Sequence, residues 1–258
     1  MDQYIVERNR KYAVCKANEL IQSRRFSLSL VEQRIIWYLI SKIKPEDTDL
    51  KSYKFKIDEF CRICGTEEDN NGNIEYIKSV IMKLYTQKFW MMISSTEEAG
   101  VGWIEDPIID HENETIDLKI NKHLKEYLID LQGLYTTLDL TVGLVLTSKY
   151  SIRMYEILKS YAGLKKCEFR VDRLKKLVNG EKYNRFADFR RNILEPSVYE
   201  INQFADFKVA YTLEKTGKRY TKIYFTMKDK TPFQYHKTID KIDEKLNAKQ
   251  AQEQISMM

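Results

Sequence analysis

The chain has 258 residues, 43% hydrophobic and 31% charged, with 9 Gly, 4 Pro and 4 Cys. That excludes a disordered or disulfide-framed chain and leaves one large core or two small ones. No apolar run reaches the roughly 18 residues of a membrane span, and the N-terminus lacks a secretory apolar segment, so a cytoplasmic protein is expected. The net charge of +5 is unevenly placed: residues 135–230 carry 20 Lys+Arg against 11 Asp+Glu, and residues 1–134 carry 19 against 23. One block is therefore basic, which fits a polyanionic partner or a solvated cationic face.

In chain order, helical spacing first appears over residues 26–43. Ser29 and Glu32 form a capping-box signature, and Val31, Ile35, Tyr38, Leu39 and Ile43 share one stripe before Pro45 ends it. Tyr53, Phe55 and Ile57 alternate with lysines as a short strand. Asp58 is expected to cap a short helix that carries Phe60 and Ile63 inward and stops at Gly65. Cys61 and Cys64 on that helix are a lone C-x-x-C, read as small apolar packing. A longer helix over 73–87 puts Ile74, Ile77, Ile81 and Leu84 inward, with Tyr76, Ser79 and Lys83 outward and Lys78 on the flank. The stretches 89–93 and 101–109 are expected to form its ribbon, with Glu97 and Glu98 at a turn that would repel phosphate. Trp90, Met91, Met92 and Trp103 are expected in the core, although an exposed subset would suit a dimer interface. The acidic residues Glu105, Asp106, Asp110, Glu112 and Glu114 read as a solvated edge.

The strand-and-helix phrase returns 114 residues later: Phe55 matches Phe169, Ile57 matches Val171, Asp58 matches Asp172, Phe60 matches Leu174 and Ile63 matches Leu177. Asp172 is again expected to cap the short helix, and Asn179-Gly180 to stop it. An amphipathic helix precedes the second copy, with Ile152, Tyr155, Leu158 and Ala162 on one side. A longer helix over 185–204 and strands at 207–213 and 220–227 follow it. This order, occurring twice, predicts an α+β fold of two tandem winged helix-turn-helix domains, helices plus small antiparallel β-ribbons. The domains are placed at 12–130 and 135–230, joined around Leu131-Gln132-Gly133. Ile239, Ile242 and Leu246 fall at helical spacing in the tail 231–258, which is either a docking helix or, as expected for a terminus, frayed.

In the second long helix Phe186, Phe189 and Ile193 face inward. Asn184, Ala187, Asp188 and Arg191 lie opposite, flanked by Arg185 and Arg190. Arg and Asn make paired hydrogen bonds to guanine and adenine edges; Asp188 either accepts from a cytosine or orients an arginine. Pro196 is expected to kink this helix. In the following hairpin Phe207, Val209, Tyr211 and Leu213 alternate, as do Ile223, Phe225 and Met227. Gly217 allows the tip, where Lys215, Lys218 and Arg219 suit phosphate or serve solubility. Lys182, Arg190, Lys215, Lys218 and Arg219 are thus candidates for phosphate, and Asn184, Arg185, Asp188 and Arg191 for bases. Tyr76, Lys78, Ser79 and Lys83 form a weaker set in the first domain.

Enzymatic signatures are missing. There is no G-x-x-x-x-G-K-[ST], His111, His123 and His236 have no metal-site spacing, and none of the 17 tyrosines keeps the basic company of a strand-transfer nucleophile. No catalysis, metal or cofactor is expected. A winged-helix repressor remains the alternative, and an origin-nicking enzyme a distant third.

Asn18-Glu19-Leu20-Ile21 with LSLVEQRIIWYLISKI resembles the opening of plasmid replication initiators, the Rep proteins that bind repeated origin sequences (iterons). FADFRRNILEPSVYEIN and the hairpin FKVAYTLEKTGKRYTKIYF look like that family's second-domain signature, and together the likeness spans residues 12–228. The resemblance implies binding of double-stranded origin direct repeats by monomers, which help to open the origin. It implies a homodimer, formed through the first domain in equilibrium with the monomer, that represses its own promoter. It further implies a host replication initiator and helicase as partners, a plasmid- or nucleoid-associated protein in bacterial cytoplasm, no membrane, and base reading from Asn184 to Arg191.

Overall fold

The computed structural model describes residues 3–23, 27–64, 72–92, 95–129, 131 and 133–256, with side chains at 6, 23, 62–64, 72–73 and 249–256 outside that description. Gly65, Gln132 and the side chains of Ile63 and Cys64 therefore lie outside the described residues.

The chain opens with α1 (Gln3–Lys11), β1 (Ala13–Ala17), α2 (Asn18–Ser23) and α3 (Leu30–Ser41). The Ser29 capping box is formed in both directions, with the Glu32 N–H donating to the Ser29 hydroxyl and the Ser29 N–H donating to the Glu32 carboxylate. Next come β2 (Ser52–Lys56), α4 (Ile57–Cys64), α5 (Gly72–Thr86), β3 (Phe89–Met92), β4 (Glu98–Val101), β5 (Ile104–Asp110), β6 (Thr115–Ile120) and the short α6 (Lys125–Leu128). The second half runs β7 (Tyr135–Asp139), α7 (Leu140–Val145), α8 (Lys149–Ser160), β8 (Lys166–Arg170), α9 (Val171–Leu177) and α10 (Phe186–Phe189). A π-helical turn (Arg190–Leu194) leads into α11 (Glu195–Phe204), then β9 (Phe207–Thr216), β10 (Arg219–Asp229) and α12 (Pro232–Ser256). No helix among the described residues is long and apolar enough to cross a membrane.

Both halves carry the same antiparallel three-stranded sheet, in the order β2-β6-β5 and β8-β10-β9. The strand–helix phrase repeats at the same offset, β2–α4 against β8–α9, with Phe55 and Phe169, Phe60 and Leu174 all buried. These are two winged-helix domains. They share one continuous hydrophobic core that runs from Val14 to Ile242.

Four expectations change. The first domain's wing is β5–β6, not the pairing of 89–93 with 101–109. Among the described residues strand β3 pairs only with β4, and the stretch after Val101 turns at Gly102–Trp103 to join β6 instead. Trp103 and Met91 are core, whereas Trp90 is 68% exposed and Met92 is also exposed. Asp58 and Asp172 are not N-caps: α4 begins at Ile57, and α9 is preceded by Arg170, which makes no side-chain cap. Both Asp residues sit in the first turn, where a carboxylate still complements the positive helix end. Pro196 is met by the π turn, in which the Glu195 N–H reaches back to the Arg190 carbonyl. The wider turn relieves the crowding that a proline ring imposes on the carbonyl four residues before it.

The fourth change concerns the tail, which is not frayed over its described length. Tyr235, Ile239 and Ile242 of α12 are buried, the first two with Ile5 of α1. The Arg8 guanidinium ties this corner by bonding Asp139 (2.8 Å), Thr141 (2.9 Å) and Asp243 (3.4 Å). Ends far apart in sequence thus close over the joint between the domains. That joint also contains the antiparallel pairing of β1 with β7, Ala13 opposite Asp139 through Ala17 opposite Tyr135.

Candidate nucleic-acid interface

The second domain builds its exposed reading surface on a turn locked at both ends. Helix α9 ends in paired backbone bonds, Gly180 N–H to the Lys175 carbonyl (2.7 Å) and Asn179 N–H to the Lys176 carbonyl (3.1 Å). Asn179 takes the left-handed conformation that this stop requires (φ 56°). Gly180 follows, where a Cβ would lie 2.7 Å from Ile193 Cδ1 and 3.1 Å from Phe189 Cε2. Only a glycine lets the turn seat against the long helix this closely. Lys175 completes the lock: its ammonium donates to the Tyr183 (2.6 Å) and Asn184 (3.1 Å) carbonyls, and burial draws its pKa down. Sequence reasoning passed over this residue because a lysine on a short amphipathic helix carries no local signal of an inward bond.

Beyond that turn Phe189 and Ile193 are fully buried and Phe186 is half-buried against Tyr220, with ring centroids 4.6 Å apart. Ala187 and Arg191 are exposed and Asp188 is half-exposed, as the helical stripe predicts, whereas Asn184 and Arg185, also exposed, lie before the helix, which begins only at Phe186 after the extended Arg185. Asp188 orients an arginine: its carboxylate lies 3.3 Å from the Arg191 guanidinium. Arg190 turns aside, its Nε bonding Glu195 at 2.8 Å, and that bond followed by contact with Tyr211 raises its pKa.

The wing stands beside this helix. A two-residue turn joins β9 to β10 with Thr216 opposite Arg219, and Gly217 takes φ 60° as the first central residue of a type II′ turn. Lys215, Lys218 and Arg219 are all exposed there. The Lys215 ammonium sits 4.6 Å over the Tyr220 ring, the same ring that touches Phe186, so the wing and helix are joined through one aromatic. Between them lies a groove of about 710 Å³ lined by Arg190, Tyr211, Thr212, Leu213, Lys215 and Tyr220. Lys182 lies just before the helix, 5.0 Å over the Tyr183 ring, and its pKa is raised by Tyr150 and then by Tyr183.

The first domain's set is differently composed. Tyr76, Ser79 and Lys83 are exposed on α5 over the buried Ile77, Val80, Ile81 and Leu84. Lys78 is engaged with Glu75 at 2.7 Å. The wing tip joining β5 to β6 is His111-Glu112-Asn113-Glu114, with Asp110 accepting from the Asn113 amide, so this wing ends in carboxylates where the other ends in cations. The acidic stretch is therefore the first domain's wing.

The sequence model of the family described as "Initiator Replication protein, WH1" matches residues 13–159, more than half of the chain, and that of "Initiator Rep protein, WH2" matches residues 170–227. The chain belongs to this family of replication initiators. Among its relatives is an "Uncharacterized 27.6 kDa protein" of Escherichia coli, 21% identical over 225 residues, 81% of this chain and 93% of the relative. A "PI protein" of Escherichia coli is 30% identical over 151 residues, 51% of this chain and half of the relative. The fold of the initiator is also that of the Pi initiator protein solved in complex with iteron DNA, with TM-score 0.70 and 21% identity over 86% of this chain and 98% of that one.

Proposed function

We propose that this initiator binds double-stranded DNA bearing the direct repeats of a plasmid origin and promotes opening of that origin, without catalysing a reaction and without a cofactor. The observation that carries this reading is one continuous exposed surface in residues 135–230. There Asn184 and Arg185, directly before α10, and Asp188 and Arg191, on α10 and its π turn, stand beside a wing tipped by Lys215, Lys218 and Arg219. Side chains of the first group suit base edges and those of the second suit phosphate. The Pi protein, of the same fold, is held by iteron DNA, which supports a duplex of this kind as the ligand. In this division of labour residues 12–130 supply auxiliary contacts through Tyr76, Lys78, Ser79 and Lys83. They also supply a homodimer face in equilibrium with the monomer, used for autorepression; exposed Trp90, Met82 and Met92 favour that face. The host initiator and helicase would join on the opened origin in the bacterial cytoplasm.

Site selection from random duplex DNA, followed by footprinting on supercoiled template, tests the reading. Direct repeats flanked by newly reactive A·T-rich strands are expected; a single inverted repeat without opening would make the protein a repressor only. On the selected site Arg191→Ala should lose about 1–3 kcal/mol and relax specificity, whereas Lys218→Ala should weaken all sequences alike and lower the salt slope by about one. Equal losses of Arg191→Ala on cognate and random DNA would remove its base-reading role.

A further inference from the structure

We propose that the groove between the two domains, centred on Lys149, holds the phosphodiester backbone of the DNA passing from the first domain's α5 to the second domain's reading helix. This rests on the duplex-binding reading above and adds a site to it.

The groove encloses about 540 Å³ and opens to solvent. Its walls come from both domains: Ser27 and Glu32 at the start of α3, Lys83, Thr86 and Gln87 at the end of α5, and Lys149 at the start of α8. Many surface lysines of this protein are engaged by carboxylates, as Lys78 is by Glu75, Lys125 by Asp49 and Lys165 by Asp229. Lys83 and Lys149 have no carboxylate partner among the described residues. Two 12-residue helices also begin here, α3 capped by Ser29 and α8 capped by Ser148, and their positive ends add to the field of the lysines. The groove's carboxylate, Glu32, is 4% exposed and turned back onto the Ser29 N–H at 2.9 Å, where the end of α3 offsets its charge.

The cationic path continues to the second reader. The Lys149 ammonium lies 5.3 Å over the Tyr150 ring, the Tyr150 and Tyr183 rings meet edge-on at 6.5 Å, and Lys182 sits over Tyr183 directly before Asn184. The walls are preformed: the Gln87 amide donates to the Ser27 carbonyl (3.0 Å), and the Asn179 amide donates across the domain gap to the Ser27 hydroxyl (2.9 Å). Leu30 is the one apolar residue in the lining, a single hydrophobic contact where a protein partner's anchor is usually a cluster. Ammonium groups without carboxylate partners, spaced along an open channel, suit a polyanionic backbone. Held there, one strand would fix the register between the two reading helices.

The test uses the full chain, anisotropy titrations against salt, and two duplexes. One is the complete selected site; the other is trimmed to the second domain's footprint. Lys149→Gln is expected to bind the complete site about fivefold more weakly, with a salt slope lower by about one. It should bind the trimmed site like wild type, Lys149→Arg should restore binding, and the thermal unfolding of both variants should match wild type. If Lys149→Gln loses equally on both duplexes, or loses nothing while Arg191→Ala loses its cognate site, the groove proposal is overturned and the duplex-binding reading stands. If Arg191→Ala also binds as wild type does, both fall together.

Discussion

Glu156→Gln removes a single charge on which three buried groups depend. Its Oε1 accepts from the Lys16 ammonium at 2.5 Å and the Trp37 indole at 2.7 Å, and its Oε2 accepts from Arg153 at 2.8 Å. The side chains of Lys16, Glu156 and Arg153 are each only 6% exposed. Because β1, α3 and α8 each contribute a member, the cluster ties the two halves of the chain together. Burial by itself would raise the Glu156 carboxyl, but the charges of Lys16 and Arg153 and the bonds they donate hold it below the usual carboxylate range. Glutamine keeps the shape and leaves two buried cations without a counter-charge. Breaking a buried pair in this way costs about 3–5 kcal/mol, a large part of the roughly 5–15 kcal/mol that holds a typical domain folded. Urea unfolding followed by far-UV circular dichroism at pH 7 should show that loss. A depressed carboxyl gives stability that is present above its unfolded pKa and lost as the pH falls through its folded value. The difference between Glu156→Gln and wild type should therefore shrink in acid. Lys16→Met in the same chain should recover part of the loss, since it removes one of the stranded cations. A Glu156→Gln protein within about 0.5 kcal/mol of wild type at pH 7 would refute the claim that this cluster holds the joint.

Two further outcomes follow from the same packing. Gly180→Ala would drive a Cβ into Ile193 and Phe189 and is expected to cost about 1–3 kcal/mol; DNA affinity should fall with it, and an unchanged unfolding midpoint would show that the turn can shift. Lys230 donates to Thr238 at 2.8 Å, and burial lowers its pKa to about 8. The folded state thus sheds this proton before the unfolded one does, so stability should rise from about pH 8 toward the ordinary lysine range, and Lys230→Met should flatten that rise. A wild-type curve that is already flat across that interval would argue against the burial of Lys230.

Local chemistry determined much of this protein from the sequence alone. The alternation around Phe55 and Phe169, the capping box of Ser29, the Asn179-Gly180 stop and the glycine of the basic hairpin each involve residues a few positions apart. Their consequences are decided within one turn or one strand pair, which is why the duplicated phrase and the reading helix could be read directly. The stripe of Phe186, Phe189 and Ile193 likewise implied the exposed face opposite.

The tertiary structure decided what depends on partners remote in the chain. β1 and β7 show little as isolated five-residue segments; each is a strand because the other lies beside it. Glu32, Gln33 and Arg34 look like the polar face of α3, yet all three are buried, Gln33 and Arg34 through bonds to the remote stretch 143–149. Arg34, for instance, donates to the carbonyls of Leu144 and Leu146 at 2.9 Å. The first domain's wing passed to β5–β6 because β6 pairs with both β2 and β5, a choice made by sheet register and not by the pattern of any single strand. The tail became α12 because Ile5, Arg8 and Asp139 meet it there, more than 90 residues away in sequence. Periodicity reports which face of an element is apolar; only the assembled chain determines what that face, and the polar one behind it, will touch.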